Sequence, residues 1–148
     1  MPIFGKESTS KLNTCEQSLQ TVLNGAIKVV DFSVIFGVRT PELQFELFKK
    51  GRIKRNGVWQ VWQIKDIVTY KDGYEKKSKH NHDPSKAVDV IPYPFPGWNT
   101  REFHEQMHYI AGVIMGLAAE YYTSEKIKDK LSWGGFWKNL VDEPHFQI

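Results

Sequence analysis

The chain has 148 residues, 41% of them hydrophobic and 14% aromatic, with a formal net charge of +3. That is enough apolar matter for one packed domain and excludes a disordered chain, while the mild basic excess suits an anionic partner without naming one. One cysteine, Cys15, excludes an intrachain disulfide framework, and no apolar run approaches the ~20 residues that span a bilayer. The first residues, Met1 to Ser8, lack the apolar stretch of a signal peptide. The expectation is a soluble product made in the cytoplasm.

Taken in order, residues 11 to 30 predict a helix. Leu12, Cys15, Leu19, Val22, Leu23 and Ala26 recur at spacings of three and four and form one apolar stripe. Cys15 on that stripe reads as a small core residue rather than a nucleophile. Phe32 to Phe36 alternates and predicts a strand ending at Gly37. Thr40-Pro41-Glu42 is a helix start, with threonine as cap and proline in the first turn. That helix is expected to run to about Lys50 and stop at Gly51.

Arg52 to Gly57 reads as a basic turn, and Val58 to Tyr70 as extended structure. Lys71-Asp72-Gly73 predicts a further turn. Lys76, Lys77 and Lys79 after it read as a solvated loop. Val88, Val90 and Ile91 are β-formers, which places Asp89 on a buried or half-buried strand. Ile91 to Gly97 is proline-rich and predicts a rigid surface loop. Asn99 is the expected cap of a long helix whose buried face is Phe103, Met107, Ile110, Ala111, Ile114, Leu117, Ala118 and Tyr121. Trp133 to Trp137 is an aromatic turn, and Pro144 to Ile148 a last strand. There is no βαβ rhythm, internal repeat or linker, so the expected class is α+β, with a single domain over residues 1–148.

Two motifs could hold a metal. His104-Glu105-Gln106-Met107-His108 matches H-E-x-x-H, in which two histidines on one helix face grip zinc while the glutamate activates water. It lacks a recognisable third ligand, and two ordinary surface histidines are the simpler reading. The second constellation is His80, Asp89, Asp142 and His145. Two histidines and a carboxylate can hold zinc tetrahedrally and leave a position for water, with Asp142 beside that water as general base. Each fragment alone is weak, since buried aspartates often cap loops and lone histidines are often structural. A carboxylate on a buried strand must nevertheless be paired, hydrogen-bonded or metal-bound.

Ser78-x-His80, Ala87-Val88-Asp89-Val90, Trp133-Gly134-Gly135 and Asp142-x-Pro144-His145-Phe146 together resemble the zinc D-Ala-D-Ala carboxypeptidase and L-alanyl-D-glutamate peptidase family, in particular its short, single-domain phage endolysins. Asp31-Phe32, Gly37-x-Arg39-Thr40, Gln44 and Gly51-Arg52 extend the likeness over nearly the whole chain. The resemblance implies a Hedgehog/DD-peptidase-like α+β fold, with a small antiparallel sheet flanked by helices. It implies that His80, Asp89 and His145 bind zinc, that Asp142 is the catalytic base, and that Arg39 helps hold the substrate or the developing oxyanion. The family's usual spacing before the aspartate would select His82 as first ligand, whereas the Ser-x-His anchor selects His80. Phe136 stands where the family often has an aspartate.

The activity so implied is hydrolysis of the peptidoglycan stem peptide at the L-Ala–D-Glu bond, in the periplasm or cell wall, by a monomer with no separate wall-binding domain, no nucleic-acid partner and no stable membrane association. The alternatives are a D,D-carboxypeptidase or D-Ala-D-Ala dipeptidase of the same fold, and a non-catalytic zinc-containing binding module. A basic nucleic-acid binder is a third class, which predicts salt-sensitive DNA retention and no metal.

Overall fold

Val88 and Val90 flank Asp89, and Phe146 lies between His145 and Gln147. Successive side chains of a strand point to opposite faces, so both segments offer one apolar face and one polar face. The computed structural model, which describes Met1–Ile148, shows both as strands. Its elements are α1 (Lys6–Leu12), α2 (Gln17–Ala26), β1 (Phe32–Phe36), α3 (Pro41–Lys49), β2 (Arg52–Arg55), β3 (Val58–Val61), β4 (Ala87–Pro92), α4 (Arg101–Thr123), β5 (Ser132–Trp133) and β6 (His145–Gln147). Short 3-10 turns occupy Ile64–Asp66, Lys79–Asn81 and Gly134–Phe136. The fold is α+β, with an antiparallel sheet in the order β1-β4-β6-β5 and a separate β2-β3 hairpin.

Phe32, Val34, Val88, Val90, Trp133 and Phe146 turn one face of the sheet into the core, where they meet the buried stripes of α2 and α4. The long helix buries Phe103, Met107, Ile110, Ala111, Ile114 and Ala118, as its periodicity predicts, while Leu117 and Tyr121 are only partly covered. The opposite face of the sheet carries Asp89, His145 and Gln147. Between Val34 and Phe36 the β1–β4 register shifts, which sets Phe36 opposite Asp89. Such irregularities bend a strand and re-aim its neighbours. No helix is long and apolar enough to cross a membrane.

Several local expectations are corrected. The helix foreseen over 11 to 30 is two helices, because the chain extends at Cys15 to pair with Ser85. Ser85 N–H donates to Thr14 O at 2.8 Å and Glu16 N–H to Ser85 O at 2.9 Å. Cys15 remains in the core, and burial pushes its thiol up to about 12. The foreseen basic turn is instead strand β2. Asn56 and Gly57, with φ of 49° and 78°, make the two-residue turn into β3, and the strand does not reach Tyr70. β4 continues through Pro92 before the proline-rich loop begins. Thr100 rather than Asn99 caps α4, its hydroxyl accepting from Phe103 N–H, while Asn99 takes φ 57°. Thr40 caps α3 as expected.

Phe146 is fully buried on the core side of the strand that carries His145. Its replacement by alanine should cost about 3–5 kcal/mol of stability, read as a lowered urea midpoint at an unchanged slope.

Candidate metal centre

β4 and β6 pair so that Asp89 lies directly opposite His145. His80 arrives from the 3-10 turn Lys79–Asn81, a segment fixed by its own caps. The Ser78 hydroxyl accepts from His80 N–H, and Asn81 Oδ1 accepts from Ser78 N–H. The turn is also zipped to the segment after β1. Arg39 N–H donates to His80 O at 2.8 Å, and Asn81 Nδ2 donates to Arg39 O at 3.0 Å.

Three ligand atoms converge. His80 Nε2 lies 3.1 Å from Asp89 Oδ1 and 3.2 Å from His145 Nδ1, and His145 Nδ1 lies 3.0 Å from Asp89 Oδ1. All three residues are buried. The far nitrogen of each ring is already committed. His80 Nδ1 donates to Gly37 O at 2.7 Å, and His145 Nε2 donates to Gln147 Oε1 at 3.0 Å. These bonds leave lone pairs on His80 Nε2 and His145 Nδ1, both aimed at a carboxylate oxygen. Three acceptors at this range repel one another unless a cation or a proton lies between them. Their separations approach the roughly 3.3 Å edge of a tetrahedron with ~2.0 Å metal bonds, so the donor set fits zinc. Carbonyl and amide partners on the outer nitrogens are the usual way of fixing a ligating histidine's tautomer.

The electrostatics follow from burial and from these contacts. Burial lowers the pKa of His80 by penalising its charged form. Burial acts the same way on His145, but the hydrogen bond and charge of Asp89, with Asp142 nearby, outweigh it and raise its pKa. A proton on His145 therefore competes with a metal for the same point. Burial works against the Asp89 carboxylate, yet His80, Arg39 and His145 together hold it well below the usual carboxylate range.

Arg39, expected to hold a substrate or oxyanion, also contacts the centre directly. Its Nη2 pairs with Asp89 Oδ2, its Nη1 donates to Gln44 Oε1 at 3.4 Å, and its guanidinium lies 4.3 Å from the centre of the Phe36 ring. The pair is nine-tenths buried, so Arg39 braces the carboxylate while still bordering the cleft. Gln44, fully buried, also donates to Thr69 Oγ1 and Lys71 O, joining α3 to the cleft wall.

Asp142 stands on the turn leading into β6. Its N–H donates to Gly134 O at 3.1 Å and its carbonyl accepts from His145 N–H at 3.2 Å. Its carboxyl is pushed up to about 6, first by burial and then by the negative charge of Asp89. Gly134 is what allows the turn to close. A Cβ there would press on the Asp142 carbonyl and meet the Cβ atoms of Asp142 and His145 at 3.2 Å.

The structure brings His80, Asp89 and His145 together, with Asp142 on the same cleft, and leaves His82 exposed at the rim. The H-E-x-x-H histidines meet no metal-binding partner set. His104 Nδ1 donates to Glu143 Oε2 at 2.6 Å, and His108 Nδ1 donates to His104 O. Glu105 is exposed and accepts from Arg101. Glu143 is the residue that sequence reasoning missed, along with Gln147. Gln147 was visible in principle, lying two residues beyond His145 on the same strand face.

The centre lies where two lobes of a cleft meet. One lobe, of about 740 Å³, includes His80, His145 and Gln147 in its wall, and the other, of about 1010 Å³, includes Asp89. Arg39, Val68, Thr69, Leu140 and Asp142 border both. The three donors are thus shared between the two lobes.

Residues 72–148 match a family profile described as D-alanyl-D-alanine carboxypeptidase. Among solved structures, the chain is similar to the Serratia marcescens L-Ala D-Glu endopeptidase ChiX, with 26% identity and a TM-score of 0.64, over 98% of this chain and 88% of that one. No curated protein matches the sequence.

Two measurements check the centre. Alanine at His80 or His145 should abolish metal retention measured by atomic absorption, while His82→Ala and His104→Ala should keep it. Gly134→Ala should weaken metal binding by about 10–100-fold, the range typical of disturbed ligand supports, in a competition titration with a chelator.

Proposed function

The chain belongs to the D-alanyl-D-alanine carboxypeptidase family, peptidases that act on peptidoglycan, and from that premise we propose that it is a zinc endopeptidase cutting the stem peptide between L-Ala and D-Glu. The observation that carries the reading is the convergence of His80 Nε2, Asp89 Oδ1 and His145 Nδ1 at the cleft that Asp142 also borders. His80, Asp89 and His145 would hold the metal. Zinc bound there would supply Lewis acidity, polarising a water molecule and the scissile carbonyl.

The remaining work falls to side chains of this chain. Asp142 accepts a proton from the attacking water at its carboxylate and delivers it to the leaving amine. A pKa of about 6 suits both halves of that transfer near neutral pH. Arg39 keeps Asp89 ionised and fixes which of its oxygens faces the histidines. Gly37 and Gln147 set the tautomers of His80 and His145, so that in the neutral rings Nε2 and Nδ1 face Asp89 with their lone pairs.

The open cleft favours an endopeptidase over an exopeptidase. An enzyme that removes a terminal D-Ala needs a wall just past the scissile bond, whereas here two adjoining lobes share the donors between them. The likeness to an L-Ala D-Glu endopeptidase over nearly the full length of this chain supports the same choice. In this reading residues 1–148 form one peptidase unit of the endolysin type, acting in the periplasm or wall. A purely structural zinc module would have no use for the Asp142 carboxyl, poised at the donors' edge.

Digestion of purified peptidoglycan followed by mass spectrometry should release fragments with a new N-terminal D-Glu; free D-Ala would instead establish a carboxypeptidase. Asp142→Ala should retain its metal and lose about 10²–10⁴-fold in kcat, the range general acid–base groups contribute. Undiminished turnover would remove Asp142 from the mechanism.

A further inference from the structure

The two lobes of the cleft differ in chemistry. The lobe that includes His145 is walled by Lys71, Lys77, Lys79 and Lys138, and Asp142 is the one carboxylate in its lining. None of the four lysines takes part in an ion pair. Their charges are free for a ligand, and like charges gathered round a concave surface reinforce one another. The lobe that includes Asp89 has a mixed and more apolar wall. Lys50 and Lys65 are offset there by Asp66 and Glu143, and Phe36, Leu47, Ile64 and Trp98 supply apolar surface. Trp98 is 55% exposed. Its ring is held by Phe95 and Phe103, with centroids 5.0 and 5.4 Å away, so a flat apolar face is presented with little freedom to move.

A peptidoglycan stem is polar in the same sense. On the amino side of the L-Ala–D-Glu bond lie L-Ala and a muramyl sugar, uncharged and with apolar C–H faces. On the other side the D-Glu is linked through its γ-carboxyl and keeps a free α-carboxylate. Further carboxylates follow at the diamino acid and the terminal D-Ala. Resting on the proposed endopeptidase reading, we propose that the cleft fixes the direction of the stem peptide. The acid-bearing residues after the scissile bond lie in the lysine lobe, and L-Ala with its sugar lies against Trp98. Lys77, Lys138 and Trp98 are then specificity-determining residues on either side of the bond.

Product binding tests this without catalysis. Calorimetry would measure two ligands, muramyl-L-Ala and the tripeptide D-Glu–γ-diaminopimelyl–D-Ala, on the metal-loaded protein. Lys77 and Lys138 are exposed, so the double charge reversal Lys77→Glu/Lys138→Glu leaves the fold intact. It should weaken the tripeptide about tenfold, equivalent to about 1.4 kcal/mol, and leave muramyl-L-Ala unchanged. Trp98→Ala should do the reverse. Amidating the tripeptide's carboxyl groups should erase the effect of the lysine reversal. The proposal is overturned if both variants weaken both products alike, if the pattern is exchanged, or if neither product binds the unaltered chain. The peptidoglycan digest reports separately on the bond that is cut, so a failure of orientation and a failure of the proposed reaction give different results.

Discussion

The pairing of β4 with β6 puts Asp89 directly across from His145, and the rest of the centre depends on that register. A slip of one residue would turn both side chains to the other face, into a layer now filled by Val88, Val90 and Phe146. The hydrophobic pattern therefore specifies the face of the candidate metal centre as firmly as the core face. Burying three valine and phenylalanine side chains on one side leaves aspartate, histidine and glutamine no choice on the other. The third ligand comes from a turn rather than a strand, so it needs separate fixing. Arg39 and Asn81 supply that through backbone and side-chain bonds between the segment after β1 and the His80 turn.

A carboxylate this deeply buried would ordinarily take up a proton. Asp89 is kept ionised because one oxygen faces two imidazoles and the other faces the Arg39 guanidinium. That guanidinium is itself buried, with Nε lacking a hydrogen-bond partner, and the Phe36 ring offers it a face instead. Removing one partner from such a pair leaves an uncompensated buried charge, which is strongly destabilising. Arg39 and Asp89 thus form one unit, and the β1 irregularity that sets Phe36 opposite Asp89 belongs to it.

What could be read from the sequence divides along the range of the interactions involved. The α4 stripe, the Thr40 cap and the alternation around Asp89 are local patterns, and each was visible as such. The break at Cys15 was not, because the chain leaves the helix there to bond Ser85, 70 residues later in sequence. The β2–β3 hairpin carried a local signal, Asn56-Gly57, but the charge of Arg52, Lys54 and Arg55 masked it. For the centre, the order of His80, Asp89, Asp142 and His145 was legible through motif likeness. The choice between His80 and His82 needed the fold, since only the capped turn aims one of them at Asp89. The lysines after Lys71 read as a solvated loop because nothing local shows that they curve round a cleft.

The H-E-x-x-H sequence shows how a motif's spacing can be met without its partner set, as the reading of two surface histidines expects. His104 and His108 do share a helix face, as positions four apart must. What they meet is Glu143, with His104 bonded at 2.6 Å and His108 3.5 Å from the other oxygen. The carbonyl of Glu143 accepts from Trp133 Nε1 at 2.6 Å. The short segment from Asp142 to His145 is therefore held by α4 through the Glu143 side chain, by Trp133 through the Glu143 carbonyl, and by Gly134 through close backbone contact. Asp142 and His145 of that segment line the lobe that holds His80, while Glu143 bonds the helix histidines, so anchoring and chemistry are divided among neighbouring side chains. The helix histidines serve the centre by fixing the turn that carries Asp142 and His145, at one remove from the three candidate donors.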